Sequence, residues 1–265
     1  ADSHQAGAGS ADRGPAAAPA ADAVTIGTAT ADAVTVDTVA DGGAVTRQPL
    51  RYPVSTRADL ESVAASCREA VALAADVRVQ EDLDRAVRCA LSRFGRLDAA
   101  IAVAGVIAGG PPLWETDDTT WKELIDVNLT GVFQLARAAV PALLESPAGR
   151  FVAVSSAAGT RPLGRLAAYS ASKHAVVGLV RSLAADLAGT SVTANVVCPG
   201  SMDTRMLAES ARVYDLADPR EFAAHAYLRR LLDPAEVAAM IAFLCSPAAS
   251  GITGAVVPVD GGFTG

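Results

Sequence analysis

From Thr56 onward, apolar and polar positions alternate between two periods. Helical spacing runs through "TRADLESVAASCREA", and "VALAADV" (71–77) is a short apolar run of strand length. "QEDLDRAVRCALSRFG" is amphipathic and stops at Gly95, a residue suited to a left-handed helix end. "LDAAIAVAG" (97–105) predicts a second buried strand. "TDDTTWKELIDVNLTGVFQLARAAVPALLES" predicts one long helix, with Thr116 as cap and two acids in its first turn. "GRFVAVSS" and "SVTANVVCPG" predict strands on either side of the helix "LAAYSASKHAVVGLVRSLAADLA". A further helix, "DPAEVAAMIAFLCS", precedes a last strand, "GAVVPVDGG". Apolar strands separated by helices imply a parallel sheet covered on both faces, with ligands beyond the carboxyl ends of its strands.

Residues 1–50 lack this regularity. They hold no aromatic residue, and their only candidate strands are Ala23–Ile26 and Ala33–Val36. The few residues between those two are too short for a parallel crossover. "GAGSADRGP" (7–15) reads more as a linker than as a glycine turn of the kind that cradles a pyrophosphate at a helix N-terminus.

Composition narrows the class. The 265 residues are 51% hydrophobic and 19% charged, which is globular, and the net charge of −7 offers nothing to nucleic acid or anionic lipid. No apolar run in the sequence approaches a membrane span, and no secretory signal is visible, so the expected location is the cytoplasm. Cys67, Cys89, Cys198 and Cys245 are scattered, which predicts buried free thiols rather than disulfides or a metal site.

Only two of the 22 basic residues are lysines, Lys122 and Lys173, and the second lies in "YSASKHA". Tyr169 and Lys173 are four apart on a helix and share a face. An ammonium beside a phenol would lower its pKa and let it trade a proton with an alcohol or ketone. Ser156, at the end of the preceding strand, could hydrogen-bond the same substrate oxygen. Taken singly, each of these also reads as an ordinary surface or turn residue. Asn128 in "VNLTG" reads equally as a residue satisfying backbone groups at a helix kink.

Together, Asn128, Ser156, Tyr169 and Lys173 resemble the catalytic set of the short-chain dehydrogenases/reductases, over roughly residues 50–265. "AVAG" (102–105) resembles the family's NNAG in its second half, Ala104 and Gly105; Ala102 and Val103 replace the asparagines. "CPGSMDT" resembles PGxxxT. The resemblance implies that Pro199 and Gly200 shape a nicotinamide wall, that Met202 offers its backbone to the carboxamide, and that Thr204 reaches the cofactor. It implies that Asp76 and Val77 lie beside the adenine. In the glycine loop Gly7 and Gly9 match, while Ala11 and Arg13 stand where the next two glycines belong. Asp37, in "AVTVDTVAD", matches the carboxylate that takes the adenosine ribose diol and favours NAD over NADP. "YPVSTRADLE", "GVIAGGPPLWET" and "MLAESARVYDLADPREF" are similar to the mycofactocin-coupled, carveol-dehydrogenase-like branch.

The resemblance thus implies one doubly wound Rossmann-type α/β domain spanning 1–265, with a mostly parallel seven-stranded sheet. It implies an irregular segment at 1–50 and a substrate lid at about 202–232, including Met206, Tyr214 and Tyr227. It implies an NAD-dependent oxidoreductase acting on a lipophilic secondary alcohol or ketone, without metal, in a homotetramer packed through helices 117–145 and 166–188. Two other readings stay open: an enzyme that keeps the Ser–Tyr–Lys site for non-redox acid–base chemistry, and a catalytically silent subunit.

Overall fold

The computed structural model describes residues 57–67 and 69–263. In chain order the helices and strands are α1 (Arg57–Ser66), α2 (Gln80–Phe94), β1 (Ala99–Ala102), α3 (Asp118–Ile125), α4 (Gly131–Leu144), β2 (Arg150–Val154), α5 (Ala167–Asp186), β3 (Thr193–Pro199), α6 (Arg205–Val213), α7 (Pro234–Cys245) and β4 (Val256–Val259). The four strands pair in parallel in the order β1–β2–β3–β4.

Strand periodicity sorts the core into two layers. Phe151 and Ala153 of β2, with Ala194, Val196 and Cys198 of β3, face α4 and α5. Val152 and Val197 face the opposite way and pack with Val237 and Leu244 of α7. Helices on both faces make this the doubly wound α/β fold that the alternating pattern predicts.

Several expectations change. Residues 71–77 form no strand, because a strand needs a ladder and the described residues offer this segment no neighbour. The described residues therefore contribute four strands of the seven implied. Asp117, not Thr116, caps α3: its carboxylate accepts from the Thr120 N–H at 2.8 Å. The long helix is real but interrupted, since Asp126–Thr130 forms a π turn between α3 and α4. By length and composition the run Asp118–Leu144 is apolar enough to cross a membrane, contrary to the sequence reading. Its inward residues Leu124, Leu135, Ala139 and Leu143 are nevertheless buried in the core. Of the four free cysteines only Cys198 is buried; Cys67 is exposed.

Candidate active site at the carboxyl ends of the strands

β2 delivers Ser155 and Ser156 where the sheet ends, and the chain turns at once into a short 3-10 segment, Ala157–Gly159. Ser156 accepts from the Ala158 N–H at 3.1 Å, which fixes its side chain at the mouth of the turn. Ser155 points the other way and donates to the Lys173 carbonyl at 2.9 Å. Lys173 returns the tie, its Nζ donating to the Val154 carbonyl at 3.1 Å. Strand end and α5 are thus stitched twice. Gly159 makes the stitch possible: a Cβ there would collide with Ser155 Oγ and sit 2.9 Å from the Lys173 carbonyl oxygen.

Tyr169 and Lys173 do share a face of α5, both are buried, and Nζ lies 5.9 Å from the centre of the phenol ring. Burial pushes the Tyr169 phenol above its ordinary pKa, and the nearby Ser156 hydroxyl only partly offsets this. The same burial pushes Lys173 down to about 8. The lowering of the phenol pKa expected from the sequence is therefore not what this arrangement has. Desolvation penalises the charged form of both groups and is the largest cause of each shift.

Asn128 occupies the π turn and is fully buried. Its Oδ1 accepts from the Val106 N–H at 2.8 Å. Its Nδ2 donates to the Val106 carbonyl at 2.9 Å and to Ser172 Oγ at 3.0 Å. One amide thus joins the segment after β1, the α3–α4 helix and α5. Gly105 lies against the same group: a Cβ there would be 3.2 Å from Lys173 Nζ and 3.3 Å from Asn128 Oδ1.

Each of the other sequence candidates takes a local place in the fold or lies outside the described residues. Pro199 ends β3, and Gly200 lies so close to Asp260 that a Cβ would stand 2.7 Å from its carbonyl oxygen. Met202 forms a parallel bridge with Leu232. Thr204 caps α6, its hydroxyl accepting from the Leu207 N–H at 3.4 Å. Ala104 packs partly buried against the core. Val77 is buried under Gly131, whose missing Cβ leaves room for it. The Asp76 carboxylate grips the Arg78 guanidinium, and this pairing holds it below the usual carboxylate range despite burial. Gly7, Gly9 and Asp37 lie outside the described residues.

Three contributors were not singled out in the sequence. Ser172 was legible as the residue one turn beyond Tyr169 on the inward face. Gly159 carried no signal. Arg165 also carried none: it adopts a left-handed backbone, φ 62°, just before α5. Its Nε donates to the Gly110 carbonyl at 2.8 Å and its Nη1 to Asp215 at 2.9 Å. With the Tyr214 hydroxyl on the Gly164 carbonyl at 2.8 Å, it ties the end of α6 to the segment leading into Tyr169.

This strand-end hydroxyl, phenol and amine, ordered along a doubly wound sheet, agree with what sequence comparison finds. The family described as "Enoyl-(Acyl carrier protein) reductase" matches residues 20–264. The chain is a short-chain dehydrogenase/reductase. It is 37% identical over 229 residues to (-)-trans-carveol dehydrogenase of Rhodococcus erythropolis, covering 80% of this chain and 83% of that protein. A crystal structure of carveol dehydrogenase from Mycobacterium avium in complex with NAD superposes with a TM-score of 0.75 at 32% identity, covering 80% of this chain and 83% of that one. The 3-ketoacyl-(acyl-carrier-protein) reductase of Brucella melitensis, complexed with NADH, gives 0.71 at 31% identity, covering 78% of this chain and 84% of that one. As a member of this family the chain is an oxidoreductase.

Proposed function

We propose that this dehydrogenase/reductase uses NAD to interconvert a secondary alcohol and a ketone on a lipophilic small molecule. The observation that carries the reading is the Ser156–Tyr169 hydroxyl pair beside the Lys173 amine, all at one end of the sheet. NAD in the related structures and the similarity to (-)-trans-carveol dehydrogenase support the cofactor and substrate class.

The residues present fit a dinucleotide. Lys173 has three N–H donors and spends one on Val154, which leaves two for a ribose diol. Gly105, lacking a side chain, keeps the approach to Nζ open. Ala104, Pro199, Gly200, Met202 and Thr204 would line the nicotinamide end, Asp76 and Val77 the adenine end, and Gly7, Gly9 and Asp37 would serve the pyrophosphate and adenosine ribose. NAD, when bound, supplies the hydride acceptor for the carbinol carbon.

Tyr169 takes the hydroxyl proton of the alcohol, or returns one to the ketone. Ser156 holds the same oxygen in place by hydrogen bonding. Lys173 orients the ribose and, when protonated, favours the phenolate. Asn128 acts as a positioning residue, because its side-chain amide is already committed to Val106 and Ser172. Any proton relay toward Lys173 would use the backbone of the π turn and water. Residues from about 202 to 232 form the lid; Met206 and Tyr214, packed against the core, offer it an apolar underside. Exposed Trp121 and Phe133 on the 118–144 run support helix packing between four subunits.

The deciding experiment is titration of the full chain with NAD, followed by turnover of a panel of hydrophobic secondary alcohols. Saturable binding and NADH formation are expected. Absence of binding at millimolar NAD would overturn the redox reading.

A further inference from the structure

At the opposite end of the sheet, where β2 and β3 begin, lies a cavity of about 480 Å³. It stands about 20 Å from the strand ends that carry Ser156, taking six residues of extended chain. Arg150 is the one charged residue in its lining. Only 3% of Arg150 is exposed, yet no carboxylate pairs with it among the described residues. Its Nη1 donates to the carbonyls of Gly149 at 2.8 Å and Ser191 at 3.4 Å, while its buried Nε has no partner. A guanidinium cannot shed its charge at any physiological pH. Burying a cation without a counter-charge is unfavourable, and neutral carbonyls recover only part of the lost hydration.

The register partner of Arg150 on β3 is Thr193, so the two side chains leave the same face of the sheet side by side. Thr193 Oγ1 is likewise buried without a partner, and Thr193 lines the same cavity. Two adjacent unsatisfied donors, one of them charged, form the corner of a space large enough for a small metabolite. The remaining walls are largely apolar, among them Leu187, Val192 and Pro247.

We propose that this cavity is a binding site for a small organic carboxylate, separate from the active site. The carboxylate lies against Arg150 and Thr193, and a short apolar body rests on Leu187, Val192 and Pro247. A slight rotation of the arginine side chain presents the Nε edge, whose paired N–H groups match the two carboxylate oxygens. A single guanidinium balances one negative charge, which favours a monocarboxylate over a phosphate.

The test uses the full chain, with sodium hexanoate, sodium acetate and sodium phosphate compared at equal ionic strength against sodium chloride. Calorimetry and thermal unfolding are the readouts. Hexanoate is expected to bind saturably at one site per chain and raise Tm, with acetate weaker and phosphate no better than chloride. Arg150→Met is expected to weaken hexanoate by about tenfold or more. Thr193→Val, which keeps the cation, is expected to weaken it several-fold. Should Arg150→Met fail to fold, Thr193→Val decides. Hexanoate affinity unchanged in the folded variants would put the ligand elsewhere, in the catalytic cleft for example, and overturn the proposal. So would an absence of saturable binding, or a phosphate response equal to that of hexanoate.

Discussion

The Lys173 ammonium donates to the Val154 carbonyl while Ser155, the next residue along the strand, donates back to the Lys173 carbonyl. This reciprocal pair sets how α5 docks on the sheet. It depends on Gly159 having no side chain. Gly159→Ala should therefore displace Ser155 or α5. The expected result is loss of most turnover together with a lower Tm, read by activity assay and thermal denaturation.

Tyr169→Phe removes the hydroxyl proposed to exchange the substrate proton and leaves the buried ring in place. Turnover should fall by roughly 10³-fold or more, with far-UV circular dichroism and Tm close to wild type. Near-normal kcat in this variant would refute the assigned proton donor.

The lowered pKa of Lys173 has a stability consequence with a definite sign. Between about 8, in the fold, and the ordinary 10.5, the unfolded chain binds the proton that the folded one has lost. Stability contributed by this group therefore rises with pH across that window, and below pH 8 the buried ammonium is a burden. Urea midpoints from pH 7 to 10.5 should show Lys173→Met gaining on wild type at the acid end, with the advantage shrinking as pH rises. An identical pH dependence for the two proteins would contradict the assignment.

Asn128→Ala removes three hydrogen bonds at once and leaves both polar groups of Val106 buried without their side-chain partner. Each such group costs about 1–3 kcal/mol, so a drop of several kcal/mol in unfolding free energy is expected in denaturant titration. Because the amide acts by positioning, kcat should fall in the folded fraction too, with its apparent pKa unchanged.

Arg165→Ala leaves a left-handed backbone without the bonds that offset it, to Gly110 and Asp215. The Asp215 pair is exposed and worth little by itself. The expected effect is therefore on the proposed lid: KM for alcohol should rise several-fold with kcat changed less. Arg165→Gly, which relieves the backbone, should recover stability but not KM.

Local pattern alone determined a good deal here. Period-two and period-3.6 repeats place β1 to β4 and α2, α5 and α7, because each element buries one face and must repeat at its own pitch. The spacing of Tyr169 and Lys173 put both on one inward face of α5, and "VNLTG" marked the kink at Asn128. What tertiary structure decided were properties that depend on neighbours distant in sequence. Whether 71–77 becomes a strand depends on a ladder partner, and the direction of the Tyr169 pKa shift depends on how thoroughly the fold removes water. The room beside Gly159 and the isolation of the Arg150 charge arise only where segments tens of residues apart are pressed together. Close contact and desolvation are properties of an assembled interior, and a one-dimensional pattern does not carry them.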